Sequence, residues 1–200
     1  MKSDIIRVTN DGTGVRDARL QAEKTAAFLS LSKKDALHLA LLTEEMMGMM
    51  IALVGQVEAD FWIESDFPEV SLHLKADTRM TAAKRSKLLA ASSTGKNAAV
   101  KGFMGKIKDI YQRLVEPDDE TIPTTAFVQG MTVSDPETFA SFGTYTWSLT
   151  QYKSSLRADA NAAEWDELEK SIVSKLADEV RVGIMDDTAE MIIIKTFPNE

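Results

Sequence analysis

Cysteine is absent from this 200-residue chain, which excludes disulfides, thiolate nucleophiles and thiolate zinc sites. Histidine occurs twice. His38 and His73 lie too far apart to form a metal-binding pair at helical spacing, and both read as ordinary surface or core histidines. No apolar run approaches the ~20 residues that cross a bilayer, and Met1 to Asn10 lacks the apolar centre of a signal peptide. These absences describe a soluble, cytoplasmic protein without a membrane segment. The 44% hydrophobic content suffices for one full-sized core, so the chain reads as a single domain over residues 1–200.

Negative charge dominates, with a net −8, but it is unevenly distributed. Lys75 to Arg113 holds ten Lys/Arg against Asp77 and Asp109, a local +8 that leaves −16 for the remainder. Such a segment is either a helix face paired with the protein's own carboxylates or a contact for an anionic ligand, phosphates or an acidic partner surface. Nucleic acid is not the expected partner, because the overall charge repels it and regularly interleaved aromatics are missing from the segment.

The spacing predicts a helix over 33–54, opened by Ser32 with Asp35 three residues on, an acidic variant of the capping box. Leu37, Leu41, Glu44, Gly48, Ile51 and Gly55 fall at alternating spacings of four and three, which puts them on one stripe. If that stripe faces inward, Glu44 is a buried carboxylate needing a partner, a watery cavity or a raised pKa. Gly48, one turn later, then leaves a gap beside it, and the pair marks the edge of a pocket. Met46, Met47, Met49 and Met50 make much of the helix apolar, as expected of an element between two layers.

Around this helix the expected order is a strand at 4–10, a turn at Asn10 to Gly14, and a helix over 15–29. Strands follow at 60–65 and 70–77, with Phe67-Pro68 turning between them. A basic helix (81–91), the loop 92–97 and a helix to about 115 come next. A Pro/Thr/Asp-rich loop (116–134) leads to a helix starting at Asp135-Pro136 and carrying Phe139, Phe142, Tyr145, Trp147, Leu149, Tyr152 and Leu156. A helix containing Trp165, Leu168, Ile172 and Leu176 precedes a closing hairpin, 179–185 and 188–197. The fold class is an α+β two-layer sandwich: a mixed, mostly antiparallel sheet with helices on one face, plus an inserted helical segment at 116–160.

Three places in this order carry a family likeness. They are Leu41-Leu42-Thr43-Glu44-Glu45-Met46-Met47-Gly48, the strand Leu72-His73-Leu74-Lys75-Ala76-Asp77, and Leu176 to Val182 followed by a strand beginning near Thr188. The pattern resembles the histidine-kinase-like ATPase (Bergerat or GHKL) fold, and within it the small anti-sigma-factor serine kinases. The likeness covers residues 1–80 and 165–197.

The resemblance implies that Glu44 is the general base of an N-box helix, that Asp77 accepts a hydrogen bond from adenine, and that Thr188 helps to hold both. It places Lys84 to Lys108, with Lys96, where the family has its ATP lid. Gly102-Phe103-Met104-Gly105 stands in for the glycine-rich box at the phosphates. The chain departs from the family at Gly48, which occupies the place of the Mg²⁺-ligating Asn and has no side-chain oxygen for a hard cation. Thr78-Arg79 replaces the pattern in which a glycine lies two residues beyond the Asp. Gly95-Lys96-Asn97 is not a P-loop, since Ala90 stands where the first glycine is required and Asn97 replaces the Ser/Thr.

The expectation is therefore an ATP- or ADP-binding regulatory protein that acts on a protein partner, with weak or absent catalysis and impaired Mg²⁺ binding. The alternative is a non-catalytic interaction module, or a homodimer, that has lost the nucleotide.

Overall fold

The computed structural model describes residues 1–9, 11–54, 58–77, 145–159, 168, 171–185 and 188–198. The elements are β1 (Ile6–Thr9), α1 (Val15–Phe28), α2 (Lys33–Val54), β2 (Glu58–Asp66), β3 (Glu69–Asp77), β4 (Tyr145–Ser148), α3 (Leu149–Asp159), α4 (Ile172–Leu176), β5 (Glu179–Met185) and β6 (Thr188–Thr196). The strands form one sheet in the order β1-β2-β3-β6-β5-β4. Every neighbouring pair is antiparallel, and the architecture is the expected α+β sandwich. No parallel pairing occurs among the described strands; β2 turns directly into β3, while β1 reaches β2 through α1 and α2.

Alternation builds the sheet's inner face. On β2, Ala59, Phe61 and Ile63 are buried, while Asp60, Trp62 and Glu64 point to the other side. Val70, Leu72, Leu74 and Ala76 do the same on β3, joined by Ala189, Met191 and Ile193 on β6 and by Val180 and Val182 on β5. The register pairs Phe61 with Leu74 and Leu74 with Met191, so large apolar side chains meet across strands. Burying one such side chain contributes about 1.5–3 kcal/mol.

Helix α1 meets this face through small residues. Ala18, Ala22, Thr25 and Ala26 are its buried positions, which lets its backbone lie close to the layer below. It starts at Gly14, whose φ of 78° lies in the left-handed region. A Cβ there would run into the Arg7 carbonyl oxygen on β1, so both conformation and space call for glycine.

Helix α2 starts as expected. The Asp35 N–H donates to Ser32 Oγ (3.2 Å), and the Ser32 hydroxyl donates to Asp35 Oδ2 (2.8 Å). Its inward face differs from the expected one. Leu39, Leu42, Met46 and Met50 are fully buried, whereas Leu37 is 56% exposed and Glu44 and Gly48 are also exposed. The spacing of Leu37, Leu41, Glu44 and Gly48 does put them on one stripe, but the stripe looks outward. Its remaining members, the Ile51 side chain and Gly55, lie outside the described residues.

The expected helix from Asp135 is also corrected where it is described. Tyr145–Ser148 is an edge strand paired with β5, Trp147 opposite Val182, and α3 begins only at Leu149. Trp147 is buried with its ring 5.8 Å from that of Tyr152 on α3. Within the segment expected as an insertion, Tyr145–Ser148 joins the sheet and Trp147, Leu149, Tyr152 and Leu156 join the core. Farther on, Ser171 caps the short α4 by accepting from the Ser174 N–H. The expected elements over 81–134 lie outside the described residues.

Candidate functional site

The residues expected to bind nucleotide fall into three groups. Asp77 closes β3 and Thr188 opens β6, and the two are register partners across the sheet. Helix α2 packs on both of these strands. Alternation from Met191 and Ala189, which face the helices, carries Thr188 with Glu190 to the sheet's other face.

Glu44 and Gly48 form the second group, on the outer side of α2. The Glu44 side chain is 43% exposed, and its Oε1 lies 3.0 Å from Arg19 Nη1 of α1. Arg19 Nε is 3.3 Å from Glu23 one turn along α1. A Cβ built on Gly48 would meet nothing within 4 Å. The expectation of a buried carboxylate beside a gap is therefore corrected: Glu44 is an exposed carboxylate satisfied by a guanidinium, and the space at Gly48 is open to solvent. Lys96, Gly102 and Gly105, the third group, lie outside the described residues. The structure thus joins Asp77 to Thr188 and Glu44 to Arg19, and no described contact joins the two pairs.

The metal that the resemblance implies does not fit these residues. Glycine at position 48 offers no side-chain oxygen, and among the described residues no group of three His, Asp or Glu could hold a metal ion. Mg²⁺ asks for near-octahedral oxygen ligation, which one ion-paired carboxylate does not supply.

A polar cluster that the sequence reading passed over sits on the open face of the sheet. The His73 ring stacks on Trp62 with centroids 4.8 Å apart and planes 9° apart. Its Nδ1 lies 3.5 Å from Glu190 Oε1 and its Nε2 3.8 Å from Glu64 Oε2, with the side chain only 13% exposed. Trp62 Nε1 donates to Glu64 Oε1 (2.9 Å), which Lys2 Nζ also meets at 2.9 Å. The Lys2 ammonium, together with burial that partly opposes it and the Trp62 bond that reinforces it, holds the Glu64 carboxyl below its ordinary range. Alternation along β2 and β3, which puts Trp62 and His73 on the outward faces of adjacent strands, is the signal the sequence offers. The one-residue register that sets them opposite each other came only with the fold.

Other described ion pairs on this side are Arg7 with Glu58 and Asp60 at 3.0 and 2.8 Å. With these charges answered by neighbours, the cluster has the character of a solvent-facing side of the sheet. No helix among the described residues is long and apolar enough to cross a membrane. The chain matches no protein-family model, no curated protein and no solved structure.

Proposed function

We propose that this protein is a cytoplasmic nucleotide-binding regulator of the histidine-kinase-like ATPase type, which acts on a protein partner by binding and not by catalysis. The observation that carries the reading is the strand-end register pairing of Asp77 with Thr188. By the family resemblance, those two residues together receive the adenine. Absence of catalysis is supported by the open Gly48 and by the ion pair that engages Glu44. A general base has to be free to take a proton from the attacking group, and a carboxylate already facing a guanidinium is poorly placed for that.

Calorimetric titration of the full chain with ATP and ADP tests the reading. Saturable binding of either nucleotide, lost in Asp77→Asn, is the expected result. No heat of binding from either would overturn it.

A second reading is favoured by the exposure of Glu44 itself: an interaction module that kept the sandwich and lost the ligand. Under it, Glu44→Ala leaves both partner binding and the melting profile essentially unchanged. Loss of partner binding in a well-folded Glu44→Ala protein would remove this reading.

A further inference from the structure

We propose that the outward stripe of α2 is a contact surface for a second copy of this chain, with the two α2 helices packed antiparallel about a two-fold axis between Leu41 and Glu44. The contact involves no ligand and is independent of the nucleotide reading.

Two residues of this stripe cost the single chain stability without an explanation inside it. Leu37 is 56% exposed and holds apolar surface in water. Gly48 lies in the interior of α2, where glycine is less favourable than alanine. A Cβ there would meet nothing within 4 Å, so no neighbour in the fold requires its absence. Against a second helix both features become useful. An exposed leucine is a knob, and a glycine leaves a hole into which a knob can enter.

The spacing matches the knob to the hole. Leu37, Leu41, Glu44 and Gly48 follow at four, three and four residues, the seam of two helices crossing at a shallow angle. The point midway between Leu41 and Glu44 is also midway between Leu37 and Gly48. An antiparallel two-fold axis there seats Leu37 against the partner's Gly48 at both ends together, about 16 Å apart along the helix.

Charge favours the same arrangement. A parallel pairing would set Glu44 against its own copy, whereas the antiparallel one sets it against the partner's Leu41. The Glu44 carboxylate meanwhile keeps its contact with Arg19 on the α1 side. Lys33 and Lys34 are exposed at the start of α2. The axis brings them alongside the partner's last α2 turn, which has no basic residue of its own. Cations beside a helix C-terminus are stabilising.

A contact built on one helix face is small, and small interfaces are weak and transient. A dissociation constant of about 10–100 μM is therefore expected, and dilute protein is monomeric.

Sedimentation equilibrium of the full chain, loaded from about 5 to 500 μM to span that range, tests the proposal on native protein, Leu37→Ala, Gly48→Leu and the double variant Leu37→Ala/Gly48→Leu. Circular dichroism and melting confirm that each is folded. The native chain should pass from monomer to dimer, and each single variant should weaken the dimer about tenfold or more. The double variant exchanges knob and hole across the axis and should recover most of the native affinity. A native chain that stays monomeric throughout would overturn the inference and leave the stripe to a different partner or to solvent. A dimer that neither single variant weakens would overturn it as well, as would a double variant no tighter than the singles.

Discussion

Replacing Gly48 with alanine tests which face of α2 looks into the protein. Glycine in a helix interior costs about 0.8–1.0 kcal/mol relative to alanine, because its backbone has more freedom to lose on folding. That gain is realised only where a methyl group has room, and a Cβ at position 48 would meet nothing within 4 Å. Gly48→Ala should therefore stabilise the fold by about 0.5–1 kcal/mol, a rise of roughly 1–4 °C in melting temperature for a chain of this size. On the opposite side of the helix, Met46 is fully buried. Met46→Ala should cost about 2–5 kcal/mol through lost burial and the cavity left behind. Urea titration followed by circular dichroism at 222 nm reads both. A destabilised Gly48→Ala protein, together with a nearly neutral Met46→Ala protein, would mean that the stripe bearing Glu44 is the packed one, and the orientation of α2 described above would be wrong.

Leu37 and Leu39 supply the same contrast between residues of one type: Leu37→Ala should change stability by less than about 0.5 kcal/mol and Leu39→Ala by about 2–5 kcal/mol in the same titration. Gly14→Ala should destabilise by about 1–3 kcal/mol, since it combines a positive φ with a collision at the Arg7 carbonyl; an unchanged urea midpoint would contradict the close approach of α1 to β1. A double-mutant cycle on Arg19 and Glu44 should return a coupling of only about 0.2–1 kcal/mol, shrinking with salt, because both partners are exposed. Glu64 carries the pH dependence. Its carboxyl is held below the ordinary range when folded, so its contribution is present above the unfolded pKa and is lost as pH falls through the folded one. The stability difference between native protein and Glu64→Gln should accordingly be small, present at pH 6 and gone in strong acid, and a difference that grew on acidification would refute that sign.

Local pattern made much of the fold legible. The hairpin of β2 and β3 follows from alternation on either side of Phe67-Pro68, and the closing hairpin of β5 and β6 from the same rule. The start of α2 follows from Ser32 and Asp35. Its orientation did not follow, for a specific reason. Leu39, Leu42, Met46 and Met50 recur at three, four and four, a stripe as regular as that of Leu37, Leu41, Glu44 and Gly48. A helix apolar nearly all round has no decisive face, so periodicity alone could not choose between them. The charge on Glu44 and the missing side chain at Gly48 were better read as marks of solvent. Likewise Tyr145 and Trp147 lie inside a run whose Phe139, Phe142, Leu149, Tyr152 and Leu156 follow helical spacing, yet they form a strand because β5 offers an edge to pair with. That partner is remote in sequence, and strand propensity depends on such context.

The candidate site divides in the same way. That Asp77 ends a strand, that position 48 carries no oxygen and that Glu44 sits one turn before it were determined by the sequence by itself, because each depends only on residue identity and local spacing. Three things were decided by tertiary structure alone: the pairing of Asp77 with Thr188, the approach of Arg19 to Glu44, and the stacking of His73 on Trp62 between two carboxylates. Each joins different secondary-structure elements, and contacts of that kind are set by strand register and helix packing, which the whole core chooses together.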